Sequence, residues 1–388
     1  MVKMTVNKTF LIILLLLTAA WESAVGVCAE KKESDLLEGT AAESVYVCEL
    51  TTEQCIAAYN EEKILPMGHL AKLMTVLICA EEIEKGTVRL DEETVASANA
   101  NAMPSPQIWL EAGDRITVEE LLKSIIIGNA NDACAALAEK LSGSMEKHTE
   151  HMNVRAKELG MVNTHFDDCV GLSENTVSTA KDLSILSKNL VMHNNLTDYF
   201  TTWIDTVKCQ AVELVNTNRL VRTYKGVIGL KFCVGKDGKC SLIAAAKRGD
   251  MTACVISLGN ASKDSTFSCA SNILDTVFED YHVYIPETDE LIPKDILVVN
   301  GRNPKISVKS NNFIGVLVRR GEASKIEYKT ELCESVSAPV KEGTELGRIV
   351  YSLDGEDILE VRICASETVE KMDFLYAVYC CLCNLCNI

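Results

Sequence analysis

Three short stretches hold imidazole, amine, amide or thiol side chains at close spacing. The first is His69-Leu70-Ala71-Lys72. A spacing of three on a helix puts the imidazole and the amine on one face, a turn apart. An imidazole can attack an acyl group, and an amine beside it can help move a proton. The plainer reading of His69 is a polar residue capping the helix start. The second stretch is Asn129-Ala130-Asn131, followed by Asp132. Its amides can hydrogen-bond a carbonyl or a lysine, but an amide is no useful acid or base near neutral pH. The third is Lys231-Phe232-Cys233, where the two-residue period of a strand puts Lys231 and Cys233 on the same side. Apart from His148 and His151 the six histidines are scattered, with no His-x-x-x-His pair, which argues against metal-assisted hydrolysis. The tail holds Cys380, Cys381, Cys383 and Cys386, a single Cys-x-x-Cys half-site with its companions crowded against it. No metal and no cofactor is expected.

Elements able to position these residues can be read from periodicity. Residues 45–49 and 56–59 are strand candidates joined by a short polar turn. Residues 70–83 repeat apolar side chains at helical spacing and carry Lys72 at their start. A helix over 117–127 opens on Thr117 with Glu120 three residues later, the pattern of a reciprocal cap. Helices are also predicted over 132–141, 152–159 and 179–190. Residues 230–234, 241–246 and 252–258 read as three successive strands, separated by Gly235-Lys236-Asp237-Gly238 and Lys247-Arg248-Gly249-Asp250, both turn-forming sequences. A helix over 266–278 closes this segment. From 280 to 368 only short strands and polar turns appear, which predicts a small all-β domain.

The 388 residues exceed one comfortable core and fit two domains. The composition, 47% hydrophobic and 24% charged, is that of a folded chain. A formal charge of -17 excludes nucleic-acid binding driven by bulk electrostatics. Lys3 and Lys8 precede an apolar run over 10–20, and Val27-Cys28-Ala29 follows it. This reads as a signal peptide over 1–29, cleaved after Ala29, and hence as an exported protein. Residues 30–42 form a polar lead-in. Cleavage removes one of 17 cysteines. The remainder are too dispersed for a small disulfide scaffold, and export permits pairing without fixing a connectivity. Cys79, Cys134 and Cys254 sit in apolar runs and read as small buried hydrophobes. In the tail, 369–388, the residues Phe374, Leu375, Val378, Leu382 and Leu385 could form one apolar stripe, suited to peripheral contact with the outer face of a membrane.

Residues 43–278 resemble the low-molecular-weight penicillin-binding proteins, the serine-type D-alanyl-D-alanine carboxypeptidases. The resemblance is carried by NEEKILPMGHLAKLMT at 60–75, by QIWLE at 107–111, by MNVRAKELGMVNTHFDDCVGL at 152–172 and by the segment 226–248. Residues 280–368 resemble the second domain of many members. The resemblance implies an α+β fold, with an antiparallel sheet flanked by helices as in β-lactamases, followed by the small all-β domain. It implies that Lys72 and Lys231 share one cleft. It also implies the reaction, release of the terminal D-Ala from a peptidoglycan stem peptide that ends in D-Ala-D-Ala.

That reaction uses Ser-x-x-Lys, Ser-x-Asn and Lys-Thr-Gly facing one cleft. In the resemblance His69 stands at the nucleophile serine, Lys72 at the general-base lysine, Asn129 at the second serine and Asn131 at the conserved amide. Lys231, Phe232 and Cys233 stand at the substrate-binding triplet. Each stretch keeps one residue and loses its more demanding chemistry. Lys231 could still attract a terminal carboxylate, while Cys233 narrows the cleft where glycine is expected. The leading expectation is a cell-wall protein of this family with lost or strongly reduced activity, binding stem peptides or partner proteins. The alternatives are a working carboxypeptidase and a purely structural envelope protein.

Overall fold

In a computed structural model of the chain, residues 36–207, 211–288, 290–311 and 313–378 are described. The expected signal peptide and most of the Cys-rich tail lie outside them. The chain divides into two compact units. The first comprises 1–50, 55–247 and 252–277, and the second 51–54, 248–251 and 278–388.

The first unit is built on a five-stranded sheet. Its strands are β1 (Ser44–Glu49), β2 (Cys55–Tyr59), β3 (Val227–Val234), β4 (Cys240–Arg248) and β5 (Met251–Asn260), in the order β2-β1-β5-β4-β3. The ladders β1–β2, β1–β5 and β3–β4 are antiparallel. Strands from both ends of the segment thus meet in one sheet, as the resemblance implies, and β3 lies at its edge. β4 and β5 are buried along nearly their whole length. Their continuous apolar runs are those of strands covered on both faces.

The helices are α1 (Lys72–Glu84), α2 (Val118–Ile126), α3 (Asn131–Ser142), α4 (Met145–Glu158), α5 (Ala180–Met192) and α6 (Lys263–Asp280). α1 follows a 3-10 turn over Gly68–Ala71 and is buried from Lys72 through Ala80, because it is apolar nearly all round. α2 carries the reciprocal cap expected from its sequence: the Glu120 amide donates to Thr117 Oγ1 at 3.2 Å, and the Thr117 amide to Glu120 Oε2 at 3.4 Å. α4 begins earlier than the apolar period suggests. Its opening turns are polar, and Ser144 caps them by accepting from the Lys147 amide. A hairpin of Ile204–Val207 and Val212–Val215 escapes sequence reasoning, because its strands are too short to establish a period.

The second unit holds a six-stranded sheet and a separate pair, Tyr281–Tyr284 with Val316–Arg319. The six strands pair antiparallel except for Asp295–Val299 with Ser335–Ser337, which are parallel. Alternating burial along Asp295–Val299 builds its core from Ile296, Val298, Ile306, Val340 and Ala365. The small all-β domain is therefore present. At the start of the tail, residues 374–378 are helical and expose Phe374 and Leu375; Leu382 and Leu385 lie outside the described residues. Among the described residues, no helix is long and apolar enough to cross a membrane.

Candidate functional site

The start of α1, the start of α3 and the strand β3 bring the three stretches together. Lys72 is fully buried. Its Nζ donates to the Asn129 carbonyl at 2.5 Å, to Asn129 Oδ1 at 3.2 Å and to Asn131 Oδ1 at 2.6 Å. Three N–H bonds are all that an ammonium has. Burial, and then Lys231, lower Lys72 to about 7. Repulsion from Lys231 adds to burial in disfavouring the charged amine. Asn131 is itself fixed, because its Nδ2 donates to the Pro104 carbonyl at 2.8 Å.

His69 lies within the 3-10 turn, so the helix-cap reading is corrected. The N-cap is Met67, and no side chain caps the turn. The ring instead reaches a distant loop, with Nδ1 3.0 Å from the Val170 carbonyl. That contact makes Nδ1 the donor and leaves Nε2 as the unprotonated nitrogen. Burial, then Lys72, hold the imidazole down to about 4, so it is neutral at pH 7. The loop is rigid because Asp168 accepts from the amides of Val170 (2.7 Å), Gly171 (2.5 Å), Leu172 (3.1 Å) and Ser173 (2.6 Å). Gly171 has φ +84°, and a Cβ there would lie 1.9 Å from the Gly68 carbonyl oxygen. Only glycine lets the loop press so closely on the turn that holds His69.

On β3, Lys231 and Cys233 share a face and Phe232 takes the other. Lys231 is buried, donates to the Ile125 carbonyl at 2.7 Å, and is lowered to about 8 by burial. Phe232 is corrected as a cleft residue, since its ring packs on Phe267 of α6 with centroids 4.7 Å apart. Cys233 does narrow the cleft. Its Sγ lies 3.7 Å from the Met67 carbonyl, near the backbone N–H groups of Leu70 and His69; the Leu70 N–H donates to the Met67 carbonyl at 3.2 Å. Burial raises the thiol to about 11, against the pull of Lys231 and those N–H groups. The amides that open the α1 segment lie beside the Cys233 sulfur, and that of Leu70 is already bonded to the Met67 carbonyl.

A cavity of about 290 Å³ adjoins this point, lined among others by Gly68, His69, Ser173, Cys233, Lys236 and Ser241. Sequence reasoning missed Asp168 and Gly171, which shape it from a loop a hundred residues beyond His69. Asp168 and Gly171 do lie within the 152–172 stretch that carries the resemblance. Among the described residues, no group of three or more histidine, cysteine or acidic side chains is arranged to hold a metal ion.

The buried histidines predict a pH dependence. His148 is fully buried between Ser142 Oγ (3.0 Å) and Thr75 Oγ1 (3.1 Å), and burial lowers it to about 4. A histidine lowered in the folded state contributes stability that is complete above its unfolded value near 6.5 and is lost as pH falls toward 4. His148→Gln should therefore flatten the loss of melting temperature between pH 6.5 and 4. The difference at pH 4 should be on the order of 2 kcal/mol. Parallel melting curves of variant and parent across that range would count against a neutral buried His148.

A helix carrying a lysine at its start, an amide pair clamping that lysine, and an edge strand carrying a second lysine fit the fold class that the resemblance implies. The chain belongs to the D-alanyl-D-alanine carboxypeptidase family, cell-wall proteins of the extracytoplasmic envelope: residues 29–262 match the family profile "D-alanyl-D-alanine carboxypeptidase", and residues 278–371 match "Penicillin-binding protein 5, C-terminal domain". It is 32% identical over 374 residues to the D-alanyl-D-alanine carboxypeptidase DacF of Bacillus subtilis, covering 95% of each chain. It is 27% identical to DacC of Escherichia coli over 84% of this chain and 83% of that one. In fold it is similar to penicillin-binding protein 5 of Haemophilus influenzae, with a TM-score of 0.76 and 21% identity over 86% of this chain and 98% of that chain.

Proposed function

We propose that this protein binds the D-Ala-D-Ala end of peptidoglycan stem peptides at the cell envelope without cleaving it through an acyl-serine. The observation that carries this reading is the state of the nucleophile position. His69 has no hydroxyl, Lys72 is bonded to Asn129 and Asn131, and Cys233 packs against the turn that carries His69. Those bonds hold the Lys72 nitrogen on the two asparagines. Peptide binding is supported by the cavity at the end of β3, lined there by Cys233, Val234 and Lys236, a concave site able to take a peptide end. The amines of Lys72 and Lys231 supply a positive field there for a carboxylate.

A second reading, a working carboxypeptidase that releases terminal D-Ala, is favoured by a different observation: the relatives matched along 95% and 84% of this chain are named as carboxypeptidases. Calorimetric titration with a pentapeptide ending in D-Ala-D-Ala separates the two when paired with mass spectrometry of the ligand afterwards. Saturable binding with the peptide recovered intact is the expected result. Catalytic loss of one alanine would establish the second reading instead.

A further inference from the structure

We propose that Trp109 is a stacking platform for a sugar ring, so that the protein grips the glycan that carries the stem peptide as well as the peptide. The proposal rests on the stem-peptide reading for its biological setting and on local backbone geometry for its site. Trp109 has φ +57° and is 63% exposed. A bulky side chain in the left-handed region is a real outlier and costs on the order of 1–3 kcal/mol.

The strain is imposed from below. Asp132, wholly buried at the start of α3, accepts from the Ile108 amide at 3.1 Å and the Leu110 amide at 3.0 Å. Ile108 and Leu110 are each 1% exposed. With both neighbours pulled inward onto one carboxylate, the residue between them is turned out to solvent. Left-handed backbone recurs around the same spot, at Asn129 (φ +58°) and Ala211 (φ +50°). Such conformations persist where surrounding structure over-determines them, and they collect at ligand clamps.

A depression of about 530 Å³ lies here, lined among others by Gln107, Trp109, Gly128 and Glu213. Gly128 directly precedes Asn129, which is bonded to Lys72, so the depression borders the amide pair of the cleft. An open hollow with one aromatic face, an amide and a carboxylate suits a ligand with an apolar CH face and hydroxyls around its edge. A pyranose ring has that form. The Glu213 carboxylate disfavours the anionic end of a second peptide at the same place.

The test compares three ligands by titration: the free pentapeptide, the same pentapeptide on its N-acetylated disaccharide, and the disaccharide alone. The parent protein should bind the disaccharide-pentapeptide about tenfold more tightly than the free peptide, roughly 1.4 kcal/mol. Trp109→Gly should remove that gain and leave free-peptide affinity unchanged, while Trp109→Phe keeps most of it. Because glycine relieves the left-handed strain, the melting temperature of Trp109→Gly should hold or rise, which separates lost stacking from lost fold. Equal affinity of the parent for both peptide ligands would overturn the proposal and leave the stem-peptide reading standing. So would a Trp109→Gly variant that weakens both ligands alike. If the free peptide does not bind but the disaccharide does, in a Trp109-dependent way, the platform stands and the stem-peptide reading fails. Binding of none of the three overturns both.

Discussion

Incubation with a labelled penicillin should leave the intact mass of the protein unchanged. In this family the drug acylates the motif serine, and the position here is a neutral imidazole held by Val170. His69→Ser alone should not bring the label on. The new hydroxyl would face Lys72 already bonded to two asparagines. The Cys233 side chain would still pack against the turn that carries position 69. Residues that act as one unit fail together and are repaired together. The fourfold variant His69→Ser, Asn129→Ser, Phe232→Thr and Cys233→Gly should therefore label at least about 10³-fold faster than His69→Ser alone. A stable gain of one drug mass in the parent protein, mapped to His69 or to a serine of the cleft, would sink the binding-only reading. Brisk labelling of the single variant would show that the second and third stretches are less impaired than their geometry indicates.

Asp132→Ala should be the most damaging single substitution to the fold among those that border the cleft. Its carboxylate serves the amides of Ile108, Leu110 and Ala133, and all three residues are buried. Losing the acceptor strands N–H groups away from water at about 1–3 kcal/mol each, the more so because the bonds are charge-assisted. Partial relaxation of the loop reduces the sum, and a loss of about 3–5 kcal/mol in denaturant unfolding is expected. Asp132→Asn keeps one acceptor oxygen and should lose roughly half as much. The same change frees Trp109 from its turned-out position, so its indole emission should shift in the folded variant. A loss under about 1 kcal/mol would mean that the apolar anchors Ile108 and Leu110 hold the loop without the carboxylate.

Much of the scaffold was legible because it is written in local periods. The cap at Thr117 and Glu120, the apolar helix behind Lys72, and the three strands with their glycine-bearing turns depend on residues within a few positions of one another. The weak points share a cause. The hairpin at 204–215 is too short for a period, and the early turns of α4 are polar and so invisible to a search for apolar repeats. Phe232 was placed in the cleft by its motif position, although the alternation that puts Lys231 and Cys233 together must send Phe232 the other way, onto Phe267.

The sequence by itself determined which chemistry is absent. No hydroxyl stands at position 69 or 129, and no glycine at 233, whatever the fold does around them. It also determined the family, through stretches that flank the site. Only the tertiary structure decided what the remaining groups do. Lys72 meets its acceptors 57 and 59 residues away, His69 meets Val170 across 101 residues, and Cys233 reaches the Met67 carbonyl across 166. Which groups hold a buried lysine, and what packs against the turn before a helix, depends on partners that chain-local rules cannot name. The same holds for Trp109: its exposure is set by a carboxylate 23 residues further on, buried beneath the loop it shapes.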